Sequence, residues 1–181
     1  MGSTRTALTP ADLKTLPRPI DGRHYELSQG ELIVVGTAGT RHERVKRRIL
    51  KALFSYEVQY STGEVFAESM FTLGEGTARV PDAAFVHNAK VESLPDADAP
   101  IPFAPDLAVE VISESESAFD AERKVGEYLR GGTLEVWQVY PNERRVRVRP
   151  AEGIRDLGPG YLLTSPLAPG FEVLVGSFFG R

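Results

Sequence analysis

Glu110 is the residue whose chemistry most needs an explanation. It interrupts the apolar run Leu107-Ala108-Val109-Glu110-Val111-Ile112. Strand alternation sets Leu107, Val109 and Val111 on one face and Ala108, Glu110 and Ile112 on the other. Both faces are apolar enough to be covered, as in a central strand. A carboxylate there without a partner costs several kcal/mol, so it needs a lysine, an arginine or a metal ion. Asp82 follows Pro81 and opens a second apolar run, Ala83-Ala84-Phe85-Val86; taken alone it is a turn or edge acid. Glu26, within His24-Tyr25-Glu26-Leu27, alternates onto the face opposite Tyr25 and Leu27, and taken alone it faces solvent. Brought together, two or three such carboxylates offer hard oxygen ligands, which suit Mg²⁺ or Mn²⁺. Lys124 and Tyr128 stand four residues apart and project from one face of the helix that follows the Glu110 strand. A strand–loop–helix return carries Lys124 back over Glu110; the plainer alternative is a surface lysine. Ser113 ends the strand and is expected to cap the turn.

The elements that must position these groups alternate between strand and helix. Thr9-Pro10-Ala11-Asp12 reads as a short helix start, with Thr9 as cap, Pro10 in the first position and Asp12 reaching back. Tyr25 to Leu27 and Leu32 to Val35 form a hairpin around Ser28-Gln29-Gly30. Val45, Ile49, Leu53 and Tyr56 recur at spacings of three and four, giving a helix with an apolar stripe on a basic cylinder. Further strands are predicted over Glu64 to Leu73, Arg79 to His87 and Leu107 to Ser113, with a proline-rich loop from Pro95 to Pro105. Ser117 to Arg130 reads as a helix closed by Gly131-Gly132. Leu134 to Tyr140 and Arg145 to Arg149 form a second hairpin. The apolar tail around Phe171, Val173, Val175, Phe178 and Phe179 either covers the chain's own core or meets a second copy. This order predicts an α/β (α+β) fold, a central mixed β-sheet flanked by helices.

Composition bounds the rest. The 181 residues fit one domain at about 100–200 residues per domain. A single domain over 1–181 is expected, with 1–20 an N-terminal arm carrying the short helix and 150–181 C-terminal strands and tail. The chain is 41% hydrophobic and 25% charged, which excludes a disordered or fibrous chain. No cysteine is present, so a disulfide scaffold, a thiolate nucleophile and sulfur-based metal sites are excluded. The opening MGSTRTALTP lacks a signal peptide's apolar core. No apolar run approaches the roughly 20 residues of a membrane helix. A soluble, cytoplasmic protein with no membrane partner is therefore expected. Net charge is −4, but it is unevenly spread. Six basic residues lie between Arg41 and Glu57, and four arginines between Arg144 and Arg149. From Glu92 to Glu122 there are nine acids and no Lys or Arg. Such segregation marks either solvated faces or a basic surface for a polyanion beside an acidic, cation-holding centre.

These segments together resemble the Uma-type restriction-endonuclease family of the PD-(D/E)XK phosphodiesterase superfamily. The resemblance rests on Tyr25-Glu26-Leu27 before Gly30-Glu31-Leu32, on His42, and on Arg79-Val80-Pro81-Asp82. It continues through Pro105-Asp106-Leu107-Ala108-Val109-Glu110-Val111-Ile112-Ser113, Lys124 with Tyr128, and Glu135-Val136-Trp137. It runs from about Tyr25 to Arg149 in consistent order. It implies a restriction-endonuclease-like core and a divalent metal, Mg²⁺ or Mn²⁺, held by Asp82, Glu110 and the carbonyl of Val111. It implies Glu26 as an accessory acid and Lys124 as the catalytic lysine, with His42, Arg41, Arg44 and Tyr128 as substrate-binding candidates. The chain departs from the superfamily where the lysine two residues after the second acid falls on Ile112; the Uma-type pattern moves it to the next helix, here Lys124. Glu114 and Glu116 stand where the family often has a proline and a small residue. The function implied is a metal-dependent DNA endonuclease working as a homodimer, with RNA or another phosphodiester also open as substrate. The alternative is a non-catalytic nucleic-acid-binding or interaction module that keeps the fold and a structural Glu110–Lys124 pair.

Overall fold

The computed structural model describes residues 7–17, 19, 22–95 and 99–180. A 3-10 turn, Asp12–Thr15, leads into β1 (His24–Ser28) and β2 (Glu31–Val35), followed by α1 (Thr40–Tyr60). Then come β3 (Gly63–Ala67), β4 (Phe71–Gly74), β5 (Thr77–Arg79), β6 (Ala83–His87) and the short α2 (Asn88–Val91). β7 (Leu107–Val111), α3 (Ala118–Arg130), β8 (Glu135–Tyr140) and β9 (Arg145–Pro150) complete the centre. β10 (Arg155–Leu157), β11 (Leu162–Ser165), β12 (Ala168–Leu174) and a 3-10 turn, Val175–Phe178, follow.

The largest sheet has six strands in the order β10-β9-β8-β7-β6-β3. β7 and β8 run parallel, whereas β6 and β7 run antiparallel, so the sheet is mixed as predicted. The alternation expected for the Glu110 strand holds. Leu107, Val109 and Val111 pack with Val45, Ile49, Leu53 and Tyr56 of α1. Ala108 packs on the other face with Val125 and Tyr128 of α3. Helices thus cover both faces, which is why every residue of β7 is buried. A second sheet, β2-β1-β5-β4, stands beside the first. Its β1–β2 hairpin turns on Gln29 and Gly30, both with positive φ (50° and 83°), the conformation a two-residue primed turn requires. A side chain at Gly30 would also meet the Cβ of Ala7 at 2.6 Å.

Several boundaries differ from the sequence reading. The helix predicted from Thr9 is only a 3-10 turn, although Asp12 does reach back, accepting from the Thr9 amide at 2.7 Å. The strand predicted over Glu64 to Leu73 is two strands, broken where Glu68 takes φ 49°. The strand predicted from Arg79 to His87 is likewise two, separated by Val80-Pro81-Asp82, because proline has no amide to give the ladder. Part of the proline-rich loop, 96–98, lies outside the described residues, as do 1–6, 18 and 20 of the N-terminal arm, residue 21, and residue 181 of the tail. The tail is spent on the chain's own core: Phe171, Val175 and Phe178 are buried against the α1 face, and Val173 and Phe179 pack partly buried beside them. No helix among the described residues is long and apolar enough to cross a membrane.

α3 is capped by Ser117, whose hydroxyl accepts from the Asp120 amide at 3.0 Å. Ser117→Ala is expected to cost about 1 kcal/mol, seen in a thermal melt as a fall of about 2–4 °C in Tm.

Candidate active site

Register brings Asp82 to Glu110. Ala83 pairs with Val109 in the β6–β7 ladder, so the position before Ala83 lies opposite the position after Val109. Asp82 Oδ2 accepts from the Val111 amide at 2.7 Å. Glu110 is on the α3 face and 5% exposed. Two side chains of α3 meet it: Lys124 Nζ donates to Oε2 at 3.1 Å and the Tyr128 hydroxyl to Oε1 at 2.7 Å. The helical spacing therefore does carry lysine and tyrosine back over the strand. Lys124 also meets Glu116 Oε1 at 3.2 Å.

Glu26 does not face solvent as its alternation alone suggested; it is 1% exposed. The face opposite Leu27 is covered because Arg79, equally buried, lies against it and donates to Glu26 Oε2 at 2.7 Å. The other oxygen accepts from the Val80 amide at 3.0 Å. Arg79 reaches on to Glu127 Oε2, with Nε donating at 2.7 Å, and Ser28 donates to Glu127 Oε1 at 2.6 Å. Glu127 was not singled out by sequence, although it stands three residues after Lys124 and beside Tyr128, the spacing of one helix face.

His42 lies on the first turn of α1, with Nε2 3.3 Å from Asp82 Oδ2. Arg41 and Arg44 are exposed. Arg41 pairs with Glu114 Oε1 at 3.2 Å and also bonds Asn142. The basic cylinder of α1 is incomplete, because Lys46 is buried and bonds Glu43 and Glu68, each at 2.8 Å. The second arginine cluster, expected to contact phosphates, is largely taken by acids. Arg145 and Arg147 pair with Asp156, and Arg149 with Glu122.

Electrostatics at the site are short of positive charge. Burial, with the charges of Glu26 and Asp82, pushes Glu110 up to about 7 in spite of Lys124 and Tyr128. Burial opposes the charge of Lys124, yet Glu110, Glu26 and Glu116 outweigh it and raise its pKa. Burial likewise works against protonation of His42, but Asp82 and Glu43 lift it above the ordinary histidine value. Burial and Glu110 raise Tyr128 well above the usual phenol. Burial raises Glu26 too, but His24, the charges of Lys124 and Arg79, and the Val80 amide hold it at about 2. That folded value lies below the usual 4.5. The stability it contributes is therefore complete above about pH 4.5 and is lost as pH falls towards about 2, up to about 3 kcal/mol. Glu26→Gln is expected to flatten stability across that acid range, measured by urea unfolding at successive pH values.

These residues fit a hard divalent cation by their chemistry. Glu26 and Glu127 hold Arg79, Glu110 and Glu116 hold Lys124, and Asp82 faces His42, so five carboxylates meet two permanent cations and one histidine. Among the described residues no group of three or more His, Cys, Asp or Glu forms a metal cluster. Asp82 and Glu110 are two carboxylates at one strand end, the number of protein oxygen ligands that a small, hard divalent cation keeping most of its waters requires.

A family model described as "Uma2: Putative restriction endonuclease" matches residues 10–175. No curated protein matches the chain. Among solved structures, a crystal structure titled as a "putative nuclease belonging to DUF820" from Anabaena variabilis superposes with a TM-score of 0.81 at 21% identity. The match covers 95% of this chain and 97% of that one.

Proposed function

Since the chain belongs to the Uma2 family of restriction-endonuclease-like proteins, we propose that it hydrolyses phosphodiester bonds in DNA at the Asp82–Glu110–Lys124 site with a divalent cation. The observation that carries this reading is the convergence of Asp82, Glu110 and Lys124 at one end of β6 and β7. A binding module has no need for Asp82 and Glu110 to share one strand end with Lys124.

Asp82, Glu110 and the Val111 carbonyl would hold a divalent cation, which when bound would supply Lewis acidity towards a phosphate oxygen and towards water. Asp82 is fixed by the Val111 amide. Tyr128 fixes Oε1 of Glu110 and leaves Oε2 to Lys124. Lys124 keeps its proton beside three carboxylates, so it acts as a cation that orients water or offsets charge growing on the phosphate. Glu26 adds charge from behind and serves as the accessory acid. His42, Arg41 and Arg44 present the first turns of α1 to the phosphate backbone, which positions a substrate without reading its sequence. Cleavage of both strands is served by two symmetric copies; their contact lies away from Phe171 and Phe178, which the core already holds.

One observation favours the second reading, a non-catalytic module. Both oxygens of Glu110 have protein partners, as a purely structural ion pair requires. The test is cleavage of supercoiled and single-stranded DNA with Mg²⁺, Mn²⁺ or EDTA, beside Asp82→Ala. Cleavage that needs the metal and is lost in Asp82→Ala supports the enzyme. DNA binding without cleavage under any metal supports the module.

A further inference from the structure

We infer that Arg79 is a positioning residue that fixes the distance between the two halves of the site. The halves come from different parts of the fold. Asp82 sits on the turn after β5, while Lys124 and Tyr128 sit on α3. Arg79, at the end of β5, is 1% exposed and reaches no solvent or substrate. Its guanidinium holds Glu26 Oε2 at 2.7 Å on one side and Glu127 Oε2 at 2.6–2.7 Å on the other. Glu26 in turn holds the Val80 amide at 3.0 Å, two residues before Asp82. Glu127 lies between Lys124 and Tyr128 on α3 and is steadied by Ser28 at 2.6 Å.

The choice of residue fits this role. A buried arginine between two buried carboxylates is not an efficient way to stabilise a core, because desolvating three charges offsets most of their attraction. What it provides is geometry. A planar fork bonds two carboxylates at set angles, which the single ammonium of a lysine cannot do. β5 and α3 are thereby locked at one separation, and hydrolysis is sensitive to that separation: a displacement of about 1 Å costs about a hundredfold in rate.

Arg79→Lys keeps the charge and loses the fork. The kinetic arm of its test rests on the hydrolytic reading; the structural arm does not. In the structural arm, hydrogen exchange is followed at the Val80 amide, which bonds Glu26, and at the Val111 amide, which bonds Asp82. Both are expected to exchange at least about tenfold faster in Arg79→Lys, with the β8–β9 ladder unchanged. In the kinetic arm, kcat on DNA is expected to fall by about ten- to a hundredfold with KM within about twofold, since Arg79 touches no substrate. Unchanged exchange at Val80 and Val111 overturns the inference, and so does uniform acceleration across all strands. If Arg79→Lys does not fold, Glu127→Gln decides by the same measurements, since it removes one charge while keeping the shape. If the wild type cleaves nothing, the hydrolytic reading fails and the exchange arm still decides the role of Arg79.

Discussion

Glu110→Gln is expected to lower metal-dependent cleavage by about a thousandfold or more, while the protein stays folded. The amide keeps the size of the carboxylate and still accepts from Tyr128, but it lacks the charge that a divalent cation requires. A loss of that size corresponds to about 4 kcal/mol of transition-state stabilisation, within what a bound cation supplies. Stability is expected to hold or rise, because burial already pushes the Glu110 carboxyl up to about 7 and a neutral side chain avoids that cost. Lys124 still faces Glu116 at 3.2 Å. DNA affinity is expected to persist or increase, since a negative charge has left the phosphate's path. Cleavage, DNA binding and Tm measured on one preparation check all three. A fully active, metal-responsive Glu110→Gln protein sinks the assignment of this residue.

Lys124→Met separates the enzyme from the module. In the enzyme, the lysine acts on water or phosphate, so cleavage is expected to fall by about a hundredfold or more while metal binding survives. Loss of the ammonium strands Glu110 and Glu116 in a poorly hydrated site. Breaking a buried pair costs about 3–5 kcal/mol, so the metal-free variant melts lower. A divalent cation then replaces the missing charge and raises Tm by mass action, about 2.7 kcal/mol at a hundredfold excess over Kd. If Glu110 and Lys124 form only a structural pair, Mg²⁺ leaves both wild type and variant where they were. A melt with and without Mg²⁺ on both proteins decides.

The surroundings of Glu110 were legible in the sequence because their clues were local, whereas Asp82, a turn or edge acid when read alone, joined them only through the family resemblance. An acid inside an apolar run, alternating with residues that pack on helices, placed Glu110 on a covered strand face. A four-residue helical spacing brought Lys124 and Tyr128 to it. Glu26 was different: nothing in His24-Tyr25-Glu26-Leu27 shows that a buried Arg79 from β5 covers its face. The same limit applied to Arg145, Arg147 and Arg149. Their composition suggested phosphate contacts, but Asp156 and Glu122 reach them through pairings that only the folded sheet creates. The break at Glu68, where the backbone turns left-handed, had no glycine or proline to announce it.

The parallel pairing of β7 with β8 has a consequence for timing. The β8–β9 hairpin is local in the chain and can close on a scale of about 1–10 μs. β7 cannot join it through a tight turn; α3 has to fold back across the sheet first. The residues of the site span Glu26 to Tyr128 and come from β1, α1, β5, β7, α3 and the turn before β6. Contacts so distant along the chain form late, after the entropy of closing long loops has been overcome. A partly folded chain is therefore expected to form the hairpin before the site, which pulse-labelled hydrogen exchange at the β8–β9 and Val111 amides would show. The cleavage proposed for this site has to wait for the last long-range pairings, and a chain that has formed only the hairpin is expected to be inactive.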